Sequence, residues 1–137
     1  VETNALSAYR TPEEVEVFAK NASGRGIKVI IAAAGMAAHL PGVIASMTPL
    51  PVIGVPVKAS LEGLDSIFSI LQMPPGIPVA TVGVNAAQNA AILAAQIIGT
   101  GNDEIMNEIV SYKQDLKKKI VEANKDLKKV KYQYKTN

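Results

Sequence analysis

This 137-residue sequence contains no cysteine and no tryptophan, and it has a single histidine, His39. Without cysteine the chain can form no disulfide framework and has no thiolate nucleophile, which is compatible with a reducing cytoplasm. Because metal sites draw on clusters of histidine, cysteine and carboxylate ligands, one histidine among scattered carboxylates predicts no metal site. The sequence therefore excludes thiol chemistry and argues against metal chemistry.

Aromatic residues and long apolar runs are also scarce. Aromatics make up 4% of a chain that is 48% hydrophobic, so its core must be built from closely packed Ala, Val, Ile and Leu. No run is long enough to span a bilayer and no signal-peptide pattern is found, so we expect no membrane partner and a cytoplasmic location. The length predicts one domain with a substantial core.

Common phosphate-binding and nucleophile motifs are missing as well. The sequence has no GxGxxG, no P-loop and no Gly-x-Ser-x-Gly elbow. A Ser-His-Asp triad would have to use His39, and no partner serine stands out.

Charge is unevenly distributed along the chain. Residues 1–112 carry five Lys/Arg and nine Asp/Glu, whereas residues 113–137 carry nine lysines and three acids. Such a tail could bind nucleic acid, although a solvated lysine-rich helix face is the simpler interpretation. The tail contains Tyr132 and Tyr134 but no arginine, which fits base recognition poorly, so no nucleic-acid partner is expected.

Three apolar runs have the character of strands buried on both faces: residues 27–34, 51–57 and 78–84. Helical patterns alternate with them, over residues 12–25, 40–47 and 61–71, and from an N-cap at Asn85 to about Ile98. Helices of this length between buried strands indicate βαβ crossovers. The predicted fold class is therefore α/β, with three layers and helices on both faces of a parallel sheet.

The last segment carries an apolar stripe at helical spacing, formed by Ile105, Ile109, Tyr112, Leu116, Ile120, Ala123, Leu127 and Val130. A helix of this length measures about 38 Å, whereas a domain of this size is only about 30 Å across. We therefore expect the helix to overhang its subunit and to bury its stripe in a homo-oligomer; a flat contact within one subunit is the alternative. The predicted organisation is an α/β core over residues 1–100 and a helix with a basic tail over residues 101–137, packing on neighbouring subunits.

Open parallel sheets bind ligands beyond the carboxyl ends of their strands, here after Ala34, Val57 and Val84 and after a strand expected to precede Ser7. His39 follows the first of these, in the stretch AAAGMAAHLPG. In the earlier stretch SAYRTP, Arg10 could hold a phosphate with help from the Ser7 hydroxyl. A linker histidine and a surface arginine are the alternatives.

Five stretches, spread in order over residues 7 to about 99, carry a resemblance to a known family: SAYRTP, AAAGMAAHLPG, PVIGVPV, LDSIFSILQMPPGIPVATV and NAAQNAAILAAQI. Together they resemble the bacterial-type N5-carboxyaminoimidazole ribonucleotide mutases of de novo purine biosynthesis. The resemblance implies a flavodoxin-like fold and an octamer in which the carboxy-terminal helix packs on neighbouring subunits. The related animal-type enzymes carboxylate the aminoimidazole ribonucleotide directly, and QMPPGIPV is similar to the bacterial type.

The resemblance also implies the chemistry. The family moves a carboxylate from the exocyclic nitrogen of an imidazole ribonucleotide to the ring carbon, without metal, ATP or any other cofactor. Decarboxylation in a closed pocket is followed by recapture of the trapped carbon dioxide and loss of the ring proton to a protein base. By resemblance, Ser7 and Arg10 bind the phosphate, and Tyr9 occupies the position of a catalytic residue. His39 is the second predicted catalytic residue and also completes the pocket wall. The remaining predicted site residues line the pocket or complete its wall: Ala34, Gly35, Met36 and Leu40.

Two departures from the family pattern bear on activity. Tyr9 stands where the family has its proton-shuttle histidine, and a tyrosine titrates near pH 10 whereas a histidine titrates near about 6.5. We therefore expect impaired activity, with His39 the only histidine available; a catalytically inactive, oligomeric ribonucleotide-binding relative is the alternative. The family's Gly-Ser-x-Ser-Asp loop is also absent, so its first strand, loop and helix are expected to be missing here and one sheet edge to be open.

Overall fold

The computed structural model describes residues 1–131 and 133–134; residues 132 and 135–137, at the end of the predicted tail segment, lie outside the described residues. Its sheet has three parallel strands, β1 (Ile30–Gly35), β2 (Val52–Val57) and β3 (Ala80–Thr81), in the order β1-β2-β3. Strands β1 and β2 pair along their whole length, from Ile30 opposite Val52 to Gly35 opposite Val57. The predicted parallel sheet is confirmed.

Five α-helices accompany the sheet. They are α1 (Pro12–Asn21), α2 (Leu40–Met47), α3 (Leu64–Leu71), α4 (Ala87–Gly99) and α5 (Asp103–Leu127), with short 3₁₀ turns at Ser23–Arg25 and Leu61–Gly63. None of the helices in the described part of the chain combines the length and the apolar character needed to cross a membrane.

Strand β2 lies in the middle and contributes side chains to both faces of the sheet. On one face Val52 packs in a cluster with residues of α1 and α2, including Val15 and Ile44. On the other face Ile53 and Val55 pack against Ala90 of α4. Because strand residues alternate between faces, one apolar run supplies both cores. The result is the expected three-layer, flavodoxin-like α/β arrangement.

The third strand is much shorter than the run of residues 78–84 predicts. Only Ala80 and Thr81 form ladder pairs with β2. Asn85 does not cap α4, so that prediction was wrong, and the N-cap residue is Ala86. Instead the backbone N–H of Asn85 donates to the Pro56 carbonyl oxygen at 2.8 Å, and the side-chain Oδ1 of Asn85 accepts the backbone N–H of Lys58 at 3.1 Å. Asn85 therefore ties the loop after β3 to the end of β2.

Helix α3 begins later than predicted because the backbone turns sharply before it. Glu62 has a φ of 57° and Gly63 a φ of 89°, values that interrupt a right-handed helix. The helix buries Ser66 and Ile70. Its apolar stripe faces the other way and is exposed at three positions: Leu64, Phe68 and Leu71.

The long final helix is confirmed. Asn102 caps α5 by accepting the Ile105 N–H at 3.0 Å, and Ile109 is buried beside Gly99 of α4. Every described residue from 110 onward is exposed. With 25 residues, α5 is about 38 Å long, and Ile109 is its last buried residue.

The edge of β1 that faces away from β2 has no strand paired with it among the described residues. Residues 1–6 form no strand. A cavity of about 420 Å³ is lined by residues 2–6 together with residues 30–33 of β1. This side of the sheet is therefore open.

Gly54 of β2 provides a sharp test of the packing. A Cβ atom there would lie 2.3 Å from Ile70 Cγ2 and 3.1 Å from Val79 Cγ1. We expect Gly54→Ala to lower the free energy of unfolding by about 1–3 kcal/mol, because α3 must move. Gly24→Ala is the control, since a Cβ there meets no atom within 4 Å. Denaturant unfolding of the two variants measures the difference; equal midpoints would contradict this account.

Candidate active site

A cavity of about 660 Å³ lies at the carboxyl end of β1, between the loop before α1 and the start of α2. This is the edge of a parallel sheet at which ligands bind. Every site residue predicted from the sequence lines it: Ser7, Tyr9, Arg10, Ala34, Gly35, Met36, His39 and Leu40. The fold thus brings together two stretches that are about thirty positions apart in the sequence.

The loop of residues 7–11 is closed by two reciprocal hydrogen bonds. The Ser7 N–H donates to Thr11 Oγ1, and the Thr11 N–H donates to the Ser7 carbonyl, both at 2.9 Å. Thr11 occupies the N-cap position of α1, but its side chain makes no capping bond to the helix. The hydroxyl of this threonine therefore stabilises the loop that carries the site residues rather than the helix.

Arg10 is held against Ser7. Its backbone N–H and its side-chain Nε each lie 3.3 Å from Ser7 Oγ. None of the ion pairs among the described residues involves Arg10. Its two terminal nitrogens remain available for an oxyanion, and a guanidinium with parallel N–H groups binds phosphate in a bidentate manner.

Gly35 and Met36 shape the floor of the cavity. A Cβ at Gly35 would lie 3.1 Å from the Ala59 Cβ and 3.2 Å from the Val57 carbonyl oxygen, so glycine lets the ends of β1 and β2 approach closely. Met36 follows with a φ of 57°, a left-handed value that is uncommon for a side chain of this size. Unusual backbone values of this kind cluster at functional sites. Here they turn the chain from the sheet toward His39.

Tyr9 and His39 are in direct contact across the cavity. The Tyr9 hydroxyl donates to the Ala37 carbonyl oxygen at 2.9 Å and forms a hydrogen bond with His39 Nδ1. The two rings meet edge to face, with centroids 5.6 Å apart and an angle of 65° between their planes. The sequence pointed to both side chains but not to the Ala37 carbonyl, because a backbone acceptor leaves no signal in a residue pattern.

The residues after the other two strands do not line this cavity. Lys58, just after β2, forms an ion pair with Glu62, and Asn85 binds the backbone near the end of β2. Functional residues were expected after all three strands; of the segments that follow a strand, only the one after β1 lines the cavity, together with residues 6–10 before α1. Within residues 1–131 and 133–134, no three His, Cys, Asp or Glu side chains are grouped as a metal site would require.

Comparison with known proteins places this chain in a family. The AIR carboxylase family model matches residues 1–119, which include every residue that lines the cavity. The chain belongs to the AIR carboxylase family. The resemblance inferred from the five sequence stretches is therefore confirmed.

Individual relatives agree with this assignment. An N5-carboxyaminoimidazole ribonucleotide mutase from Thermotoga maritima is 55% identical over 132 residues, covering 96% of this chain and 77% of that protein. The chloroplastic phosphoribosylaminoimidazole carboxylase of Vigna aconitifolia is 52% identical over 129 residues, covering 93% of this chain and 23% of that protein. The crystal structure of Treponema denticola PurE matches with a TM-score of 0.80 at 34% identity, covering 89% of this chain and 77% of that one.

Proposed function

We propose that this chain is an isomerase that interconverts N5-carboxyaminoimidazole ribonucleotide and 4-carboxyaminoimidazole ribonucleotide in de novo purine biosynthesis. The observation that carries the proposal is the family match over residues 1–119, because it includes the whole cavity lining. The relative of 55% identity bears the name of this mutase. The reaction needs no metal, ATP or other cofactor.

The cavity residues supply the binding functions that this reaction requires. Arg10 and Ser7 hold the ribonucleotide phosphate through charge-assisted hydrogen bonds. Backbone amides of residues 34–36 hold the carboxylate near the end of β1, and His39 and Leu40 form the adjoining wall. Oriented N–H groups stabilise the carboxylate before it leaves. A cavity that excludes water then favours neutral carbon dioxide and retains it.

The reaction is balanced in protons. The exocyclic nitrogen gains a proton as its bond to the carboxyl carbon breaks and carbon dioxide is released. The ring carbon then bonds to the trapped carbon dioxide and loses its own proton. One protein group can therefore give the first proton and take the second, with no net exchange. Tyr9 occupies the family's shuttle position, and a neutral phenol is a poor base, so we expect a slow enzyme.

The working form is proposed to be a cytoplasmic homo-oligomer, an octamer by family resemblance. In the single subunit, α5 from residue 110 onward and the following residues 128–131 are exposed. The apolar stripe of Leu64, Phe68 and Leu71 on α3 is exposed as well. Apolar surfaces of this extent usually mark protein interfaces. Tyr9 and Met36 are 63% and 61% exposed, so a neighbouring subunit would also help to exclude water from the cavity.

Arg10 provides a test of substrate binding. Arg10→Ala is expected to raise KM about 10- to 100-fold, the effect of losing a charged hydrogen-bond donor to a phosphate. The KM of Arg10→Lys should lie between those of the wild type and Arg10→Ala, because an ammonium keeps the charge but lacks the bidentate fork. Arg25→Ala is the matched control, since Arg25 pairs with Glu2 away from the cavity. Steady-state kinetics give the values; an unchanged KM in Arg10→Ala would remove Arg10 from the phosphate site.

Tyr9 provides a test of the proton-transfer step. Tyr9→His restores the family residue and is expected to raise kcat about 100- to 10,000-fold. The measurement is the ultraviolet absorbance change of the imidazole, starting from N5-carboxyaminoimidazole ribonucleotide without ATP. An unchanged rate would mean that position 9 is not the shuttle position. Substrate binding without turnover in both proteins would instead support the inactive relative.

The same assay separates the mutase from a direct carboxylase, since relatives bear both names. A mutase converts N5-carboxyaminoimidazole ribonucleotide without added bicarbonate and retains the carboxyl carbon. A direct carboxylase would start from the aminoimidazole ribonucleotide and incorporate labelled carbon dioxide. Preferential use of the second substrate would overturn the proposed reaction while leaving the family assignment intact.

Helix α5 provides a test of assembly. The expected particle mass is a multiple of the 14.4 kDa chain, eight times that mass for the octamer. Ile120→Asp places a charge at a 73% exposed position of the apolar stripe and should shift the protein to smaller species. Gln114→Asp adds the same charge to a position outside the stripe and is the control. Light scattering after size exclusion gives the masses; a monomeric wild-type chain would contradict this proposal.

A further inference from the structure

The Tyr9 hydroxyl lies between two partners that restrict where its hydrogen can be. Its oxygen is 2.9 Å from the Ala37 carbonyl oxygen and forms a hydrogen bond with His39 Nδ1. The Ala37 carbonyl oxygen also accepts the backbone N–H of His39 at 2.8 Å. One carbonyl thus anchors both the backbone of the histidine and the phenol that touches its ring.

Counting hydrogens leaves one arrangement in which both contacts of the phenol are hydrogen bonds. A carbonyl oxygen can only accept, so the single hydroxyl hydrogen of Tyr9 must point to Ala37. The contact between the phenol oxygen and Nδ1 then needs a hydrogen from the imidazole. Since a neutral imidazole carries one N–H, that hydrogen is on Nδ1 and Nε2 has the lone pair. The opposite arrangement would leave two oxygens 2.9 Å apart with no hydrogen between them.

We propose that the Tyr9 phenol and the Ala37 carbonyl hold neutral His39 as its Nδ1–H tautomer, so that Nε2 is the base that takes the proton of the substrate ring carbon. The inference rests on the proposed function and assigns the proton transfer to a different residue from the family shuttle. His39 is the catalytic residue, and Tyr9 is a positioning residue that acts through it.

The proton cycle of the reaction can run through Nε2 alone. The imidazolium form of His39 donates its Nε2 proton to the exocyclic nitrogen as the bond to the carboxyl carbon breaks. The bare Nε2 then accepts the proton of the ring carbon, after that carbon has bonded to carbon dioxide. The Nδ1–H stays on the phenol oxygen throughout, and the phenol hydrogen stays on the Ala37 carbonyl. A chain of hydrogen bonds ending on a carbonyl oxygen also stabilises the positive charge of the ring.

The proposal and a passive role for Tyr9 predict different activities after removal of the Tyr9 hydroxyl. If Tyr9 merely fills the space of a lost histidine, then Tyr9→Phe, which keeps the ring and removes the hydroxyl, should leave the residual activity unchanged. If Tyr9 sets the tautomer, the same change releases Nδ1 and lets Nε2 bind the hydrogen, so activity falls. Substitutions at position 9 are then expected to act in opposite directions, histidine upward and phenylalanine downward.

The tautomer can be observed without substrate because the chain has only one histidine. In protein labelled with ¹⁵N-histidine, a two-bond ¹H–¹⁵N correlation spectrum shows a single imidazole and identifies which nitrogen carries the hydrogen. The spectrum is recorded at about pH 8, because this is above the usual imidazole pKa of about 6.5 and favours the neutral ring. We expect the Nδ1–H form in the wild type and a shift toward the Nε2–H form in Tyr9→Phe. A wild-type ring in the Nε2–H form, or a spectrum unchanged by Tyr9→Phe, overturns the proposal.

Kinetics supply the second measurement. Tyr9→Phe should lower kcat about tenfold with KM within about twofold, whereas His39→Asn should lower kcat at least about 100-fold, since the amide offers an N–H but no base. Tyr134→Phe is the matched control, because Tyr134 is 79% exposed and lies outside both the cavity lining and the apolar stripe of α5, and it should leave both the spectrum and kcat unchanged. Equal kcat in the wild type and Tyr9→Phe overturns the proposal.

The two measurements separate this inference from the proposed function. A wild-type chain with the Nδ1–H tautomer but no mutase turnover would refute the catalytic role of His39 together with the function. An active mutase with the Nε2–H tautomer would refute the inference and leave the function in place. Light-scattering masses of the variants check that assembly is unchanged.

Discussion

The parallel pairing of β1 with β2 is the constraint on which the rest of the molecule depends. It is continuous over six residue pairs, from Ile30 opposite Val52 to Gly35 opposite Val57. Because the two strands run in the same direction, the chain must cross over from the carboxyl end of β1 to the amino end of β2. The crossover α2 therefore begins at the carboxyl edge, and His39, immediately before it, is placed there by topology. Glycine at position 35 then allows the strand ends to lie close enough to close the floor of the cavity.

Much of this architecture follows from residue patterns, and the exceptions have identifiable physical causes. Apolar runs and helical spacing predicted β1, β2 and the helices because both depend on local periodicity. The length of β3 did not follow, since the chain beyond Thr81 is held to the end of β2 by a side-chain contact, in which Asn85 Oδ1 accepts the Lys58 N–H from 27 positions away. The start of α3 did not follow either, because positive φ at Glu62 has no sequence signal. Local patterns indicate which elements form, whereas long-range polar contacts decide where they end.

In the cavity, too, some features could be predicted from residue patterns and others depend on long-range contacts. Resemblance pointed to eight residues, and one cavity contains them all; their individual roles remain proposals. What no pattern could supply was the Ala37 carbonyl, whose position depends on the turn at Met36 and not on the identity of residue 37. Nor could a pattern reveal that Thr11 stabilises the loop instead of capping α1, since both uses of the side chain favour the same residue type. Side chains with a distinctive chemistry can be read from a sequence, but their backbone partners require the fold.

The cavity and two apolar helix faces are all exposed in the single subunit, and one assembly step would bury them together. A reaction that passes through carbon dioxide needs a site from which the gas cannot escape, yet Tyr9 and Met36 are mostly exposed in the single subunit. The same subunit leaves the apolar stripe of α3 and nearly all of α5 in water, at a cost that grows with the apolar area. Burying those faces against neighbouring chains would recover that free energy and could cover the cavity in the same step. Assembly would then be part of the catalytic apparatus, because the low dielectric that strengthens the contacts of Arg10 and His39 requires the site to be closed.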